Sequence, residues 1–138
     1  MKRERTQPRR RVIFNNDGGS QLDFYRFPLS WDKIVEANVG VFKDTQMKTL
    51  FWGLGNGHTV HHDTEVGVFY GEDLESYETM VTWVRYEHFK RLIREGHDLL
   101  QGVVEEGHKI GLEVFPSFRM NDFHDSREEQ ALGPFKKK

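Results

Sequence analysis

The side chains best suited to chemistry lie close together near the end of the chain, after an apolar segment that begins at Gly111. They offer a guanidinium, a carboxamide, an imidazole and two carboxylates: Arg119, Asn121, Asp122, His124 and Asp125. Such groups donate and accept hydrogen bonds in fixed directions, as recognition of a polar ligand requires. Ligand sites of α/β proteins lie at the carboxyl ends of parallel strands, and the cluster follows a predicted strand.

Two other predicted strands also end in polar or aromatic residues. The first, 11–14, is followed by Asn15, Asn16 and Asp17. The second, 47–52, ends in Trp52 and opens into a glycine-rich loop that contains His58. Trp52 is the best candidate for an aromatic stacking platform because it lies where a strand meets this loop.

Histidines suggest a metal site as an alternative. Imidazole is a common metal ligand, and the candidates are His58, His61, His62 and His124. The chain carries no recognised zinc signature, and neighbours such as His61 and His62 point apart on a regular strand. Exposed loop histidines are the more common case, so we predict neither a metal nor another cofactor.

Composition bounds the class of protein. The 138 residues are enough for one domain with a core. The charges nearly balance, with 20 Lys and Arg against 22 Asp and Glu, which gives no reason to expect nucleic acid or an anionic membrane as partner. There is no cysteine, and neither a signal peptide nor an apolar run of membrane-spanning length is present, so the cellular location stays open. The basic head, residues 1–10, is expected to be disordered.

Periodicity and capping residues indicate how the sites are positioned. The predicted order is strand, helix, strand, long irregular loop from Gly53 to Tyr77, two helices and a final strand. Ser30 and Asp98 are the expected helix N-caps, and Gly96 and Gly111 the expected stops. Strands that alternate with helices predict an α/β fold with parallel pairing.

Several of these segments together resemble a known family. Gly96-His97-Asp98 before a helix, Gly111-Leu112-Glu113-Val114-Phe115, and the run from Ser117 to Asp125 (Ser-Phe-Arg-Met-Asn-Asp-x-His-Asp) are similar to the N-terminal part of bacterial glycoside-hydrolase-like proteins, called family-ten-like and largely uncharacterised. The opening run from Arg11 to Gly18 looks like their first strand. The resemblance implies a (β/α)8 TIM barrel, which takes about 250 residues. Residues 11–138 would then be a truncated N-terminal portion, about the first three βα units.

The resemblance implies hydrolysis of O-glycosidic bonds, with carbohydrate as the partner. Such barrels usually carry their catalytic carboxylates on later strands, so the principal acid and base are expected beyond this chain. Within it the carboxylate candidates are Asp17, Asp122 and Asp125. The expected substrate-binding residues are Asn15, Asn16, Asp17, Trp52, His58, Arg119, Asn121, Asp122, His124 and Asp125.

Two alternatives remain open at this point. One is a non-catalytic fragment that binds carbohydrate or only assembles with another chain, and the other is a metal-dependent hydrolase that uses the loop histidines. Three parallel strands leave two unpaired edges, which are templates for pairing. We therefore predict self-association or docking of a complementary barrel half.

Overall fold

The structure is a computed structural model, and it describes residues 11–19, 22, 27–56, 59–77 and 79–119. Its strands are β1 (Val12–Asn16), β2 (Met47–Gly53), β3 (Gly55–Asn56), β4 (Thr59–Val60), β5 (Val68–Phe69) and β6 (Glu113–Ser117). Its helices are α1 (Trp31–Asn38), α2 (Met80–Arg94) and α3 (Leu99–Lys109), with a 3-10 turn at Gly40–Phe42. The predicted disordered head lies outside the described residues.

The main sheet contains three parallel strands in the order β1-β2-β6. Residues of the three strands align in rows: Ile13 pairs with Thr49 and Thr49 with Glu113, while Phe51 pairs with Phe115. α1 lies in the connection from β1 to β2, and α2 and α3 lie in the connection from β2 to β6. The predicted α/β class with parallel pairing is therefore confirmed.

The core lies between one face of this sheet and the helices. Leu50 and Trp52, two residues apart on the middle strand, are almost fully buried. Val114 on β6 packs so closely beneath α3 that a Cβ on Gly107 would come within 2.6 Å of its Cγ2 atom. Alternation along the strands then places Ile13, Phe51 and Phe115 on the opposite face.

The ends of the two long helices follow the local signals in the sequence. The Asp98 carboxylate caps α3 by accepting a hydrogen bond of 2.9 Å from the Gln101 N–H. After α2, Gly96 has φ +80°. The His97 N–H donates a hydrogen bond of 2.9 Å to the Leu92 carbonyl, as expected where a glycine ends a helix. Ser30 precedes α1 as predicted, although its side chain makes no capping bond.

One detail of the sequence interpretation was wrong. The segment from Gly53 to Tyr77 is not wholly irregular, because β3, β4 and β5 form a small second sheet there. Strands of two residues are too short to show a period. On α2, Phe89 is buried, whereas Val81 is 47% exposed. Phe118, the residue after the end of β6, is 56% exposed.

Within the described part of the chain, none of the helices combines the length and the apolar character needed to cross a membrane.

Candidate functional site

The turn that follows β1 is built around a buried carboxamide. Asn16 is 7% exposed, and its Oδ1 atom accepts a 2.9 Å hydrogen bond from the Gly18 N–H. Its Nδ2 atom donates to Oδ1 of Asn38 at 3.4 Å, and Asn38 in turn donates 2.8 Å to the Ile34 carbonyl. The last residue of α1 is therefore bonded to the end of β1. Asn16, predicted to contact substrate, instead holds the turn that carries Asp17.

Two glycines allow this turn to lie directly against the end of β2. Gly18 has φ +82°, and a Cβ atom there would fall 1.8 Å from the carbonyl oxygen of Gly53. A Cβ on Gly53 would come within 2.8 Å of the Asp17 backbone. Only glycine fits at both positions, because backbone faces backbone and neither segment can yield. The contact fixes where Asp17 leaves the sheet.

Asp17 is joined to Arg119 by an ion pair and hydrogen bond between Oδ1 and Nη2. Arg119 follows β6 by two residues, so the pair links the carboxyl ends of the two outer strands across the end of β2. The Asp17 side chain is 51% exposed and that of Arg119 is 34% exposed, which leaves both in reach of solvent. The sequence placed both residues at strand ends, and the structure brings them together. We call Asn16, Asp17, Gly18, Asn38, Gly53 and Arg119 the carboxyl-edge site.

His61 is packed behind this turn rather than presented to solvent. It is 4% exposed, stacks on Phe89 with ring centroids 4.6 Å apart, and lies 3.0 Å from where a Cβ on Gly19 would be. Neither ring nitrogen makes a well-formed hydrogen bond among the described residues. Burial lowers the pKa of His61 to about 3, with the charges of Arg85 and His62 acting in the same direction and the nearby Gly18 backbone, the smallest of these causes, opposing it. The imidazole is therefore neutral at physiological pH.

The histidines described here do not form a metal centre. His61 is enclosed by aromatic rings, whereas His62, its neighbour, is half-buried. No group of three or more His, Cys, Asp or Glu side chains suited to a metal ion occurs among the residues that the structure describes. His58 and His124, the other members of the predicted set, lie outside them.

Trp52 lies in the hydrophobic core with 2% of its surface exposed, so its ring does not face a cleft as stacking on a ligand would require. Side chains alternate between the two faces of β2, so Trp52 points toward the helices and Phe51 points to the opposite face. Asn15 is exposed on β1, in the same row as Phe51. The remaining predicted site residues lie outside the described residues: His58, Asn121, Asp122, His124 and Asp125.

Among the polar side chains of the carboxyl-edge site, Asn38 is the one that sequence reasoning did not single out as functional. It follows Ile34 and Val35 at helical spacing, which places a carboxamide on the apolar stripe of α1. A polar side chain on a buried stripe needs a hydrogen-bond partner. That requirement was the available signal, but the spacing alone does not identify Asn16 as the partner.

A separate open cleft of about 380 Å³ lies against α2 and shares no residue with the carboxyl-edge site. It is lined by acids and bases together, among them Asp63, Glu72, Lys90 and Arg94. The mixture of charges indicates no particular ligand.

No model of a known protein family matches this chain, and no curated protein matches it either.

Proposed function

We propose that this chain forms part of the carbohydrate-binding cleft of a glycoside-hydrolase-like protein, at the carboxyl-edge site. The observation that carries the proposal is the Asp17–Arg119 pair, which lies at the carboxyl ends of two strands in a parallel sheet. A carboxylate accepts hydrogen bonds and a guanidinium donates them, so side by side they match a sugar hydroxyl, which does both. Ligands of α/β proteins bind at this end of the sheet.

The guanidinium beside Asp17 favours a binding role over that of a general acid. Glycosidases use two carboxyl groups, separated by about 5–5.5 Å in retaining enzymes and by about 6.5–9.5 Å in inverting enzymes. The partner of Asp17 is a guanidinium, which donates to the carboxylate, whereas a general acid must itself hold a proton to donate. The three parallel strands would be the first strands of a (β/α)8 barrel, with the acid and base on later strands of that barrel.

Binding of neutral oligosaccharides tests the proposal. Saturation-transfer NMR with cellotetraose, xylotetraose, maltotetraose and chitotriose would detect contact, and calorimetry would give the affinity. We expect at least one of these sugars to bind, and we expect Asp17→Asn and Arg119→Gln each to weaken binding about tenfold or more, because each removes a charged hydrogen-bonding group.

The chain supplies a matched control at the other end of the same sheet. Arg11 and Glu113 form an ion pair of 2.5 Å between the amino ends of β1 and β6. Arg11→Gln and Glu113→Gln therefore remove equivalent charges away from the proposed cleft, and they should leave affinity unchanged. Equal losses from both pairs of variants, or no binding of any of the four sugars, would overturn the proposal.

A further inference from the structure

The face of the main sheet that points away from the core has an apolar centre. Phe51 and Phe115 stack on it with ring centroids 5.5 Å apart, and Ile13 lies on the neighbouring strand. Ile13 is 56% exposed and Phe115 is 47% exposed, while Phe51 is half-buried. We call this surface the open face. Isolated exposed apolar residues are ordinary, but here each of the three strands contributes one apolar side chain, and Ile13 lies in the row next to that of Phe51 and Phe115.

Charged residues mark the four corners of the open face. At the amino end, Arg11 precedes β1 and bonds to Glu113, the first residue of β6. Thr49 on β2 also donates a hydrogen bond of 3.3 Å to that carboxylate. Ile13, Thr49 and Glu113 pair side by side across the three strands, so all three lie in one row of the open face. At the carboxyl end, Asp17 follows β1 and bonds to Arg119 after β6. The sign therefore changes from positive to negative along β1 and from negative to positive along β6.

This arrangement of charges is complementary to itself. When two copies meet face to face about a two-fold axis parallel to the strands, each corner of β1 lies opposite the corner of β6 at the same end, which carries the opposite charge. When the axis runs across the strands, each corner of β1 lies opposite the other end of β1, and again the signs differ. A two-fold interface uses the same patch on both subunits, so a surface with this property is suited to it.

We infer that this chain by itself forms a two-fold dimer through the open face, which the later strands would cover in the complete barrel proposed above. The interface would have Ile13, Phe51 and Phe115 at its centre and the two ion pairs at its rim, as interfaces with an apolar core and a polar rim are built. Burying an apolar patch provides the driving force, and the alternating corners fix the orientation.

The mass in solution, measured by light scattering on an eluting size-exclusion peak across a range of concentrations, tests the inference. We expect a concentration-dependent species of twice the 16.3 kDa chain mass. Ile13→Lys and Phe115→Lys place a charge at the centre of the interface and should raise its dissociation constant at least tenfold. Val66→Lys and Met80→Lys change residues that are 81% and 78% exposed elsewhere, and they should leave it unchanged. Circular dichroism would verify that all four variants fold.

Cross-linking provides a second test of the dimer that does not require a substitution to break the interface. The chain contains no cysteine, so Asn15→Cys introduces a single thiol in the central row of the open face. A short bismaleimide should join two Asn15→Cys chains and should not join two Val66→Cys chains. A monomer at every concentration, which would mean that another part of this chain covers the face, overturns the inference. The inference is also overturned if the dimer persists in both Ile13→Lys and Phe115→Lys, or if Asn15→Cys and Val66→Cys chains cross-link equally.

Discussion

His61 combines a titratable ring with a position that water does not reach. Both ring nitrogens lack a well-formed hydrogen bond among the described residues, and so do those of His88 on α2. Burial lowers the pKa of both histidines, in the case of His61 to about 3. In the unfolded chain these histidines have ordinary pKa values near 6.5. Below that pH the unfolded chain therefore binds more protons than the folded chain. Protonation therefore favours unfolding.

We expect the free energy of unfolding to fall as the pH decreases from about 6.5 toward 3, and His61→Phe to reduce this loss. Phenylalanine preserves the stack on Phe89 and removes the titratable group. Between pH 7 and pH 4 the variant should lose about 2–3 kcal/mol less than the parent chain, since each pKa unit corresponds to about 1.36 kcal/mol. Urea unfolding at several pH values measures this.

His108→Gln is the control for that experiment, because His108 is an exposed residue of α3. It should leave the pH dependence of stability close to that of the parent chain. If His61→Phe and the parent chain lose equal stability between pH 7 and pH 4, His61 is not protonated on unfolding in the way described.

The position of a residue at a strand end predicted which side chains belong to the site, but not the role of each one. Asp17 and Arg119 were identifiable as site residues because each follows a predicted strand. Asn16 has the same position and a similar side chain, yet it is buried by its bonds to Gly18 and Asn38. Asn16 and Asp17 are adjacent in sequence, so position alone cannot show which of the two side chains is buried. The hydrogen bond from Asn16 to Asn38 of α1 determines that.

Between the helices, Gly102 of α3 packs tightly against Trp31 of α1. A Cβ atom on Gly102 would lie 2.2 Å from Cζ2 of the Trp31 ring, which is stacked on His97 with centroids 4.5 Å apart. In an ordinary helix interior, replacing glycine by alanine increases stability by about 1 kcal/mol. Here the added methyl group requires the indole to move against the stacked imidazole.

We therefore expect Gly102→Ala to lower the free energy of unfolding by about 1 kcal/mol, because overpacking costs about 1–3 kcal/mol and exceeds the gain in helix propensity. Chemical denaturation of the single variant gives the sign. In a Trp31→Leu background the obstacle is smaller, so the same glycine substitution should become stabilising. Stabilisation by Gly102→Ala in the parent chain would contradict the described contact.

At the level of elements, local signals were sufficient where a single residue ends a helix. Asp98 caps α3 and Gly96 ends α2 where predicted, because capping depends on a few adjacent backbone groups. The parallel pairing of β1, β2 and β6 followed from the alternation of strands and helices. The β3-β4-β5 sheet escaped detection, since β3, β4 and β5 are each two residues long and pair by contacts distant from any local pattern.

The whole molecule is expected to gain stability from the dimer inferred above. A second copy that binds only the folded chain raises its apparent stability by mass action. The melting temperature should therefore increase with protein concentration, and thermal unfolding over a hundredfold dilution series would measure it. Phe115→Lys should make the melting temperature independent of concentration, while Met80→Lys should preserve the dependence. A constant melting temperature in the parent chain would argue against a dimer.

The strand order has a further consequence for how the chain acquires its fold. β2 is the middle strand and ends at Gly53, whereas its second neighbour, β6, begins only at Glu113, 60 residues later. The ion pairs that join β1 to β6 each span 102 positions. Contacts of such high sequence separation form slowly, because a long loop must close first. During synthesis, β2 therefore emerges from the ribosome well before the strand that protects its open side, and this interval is when the nascent chain is most exposed to misassembly.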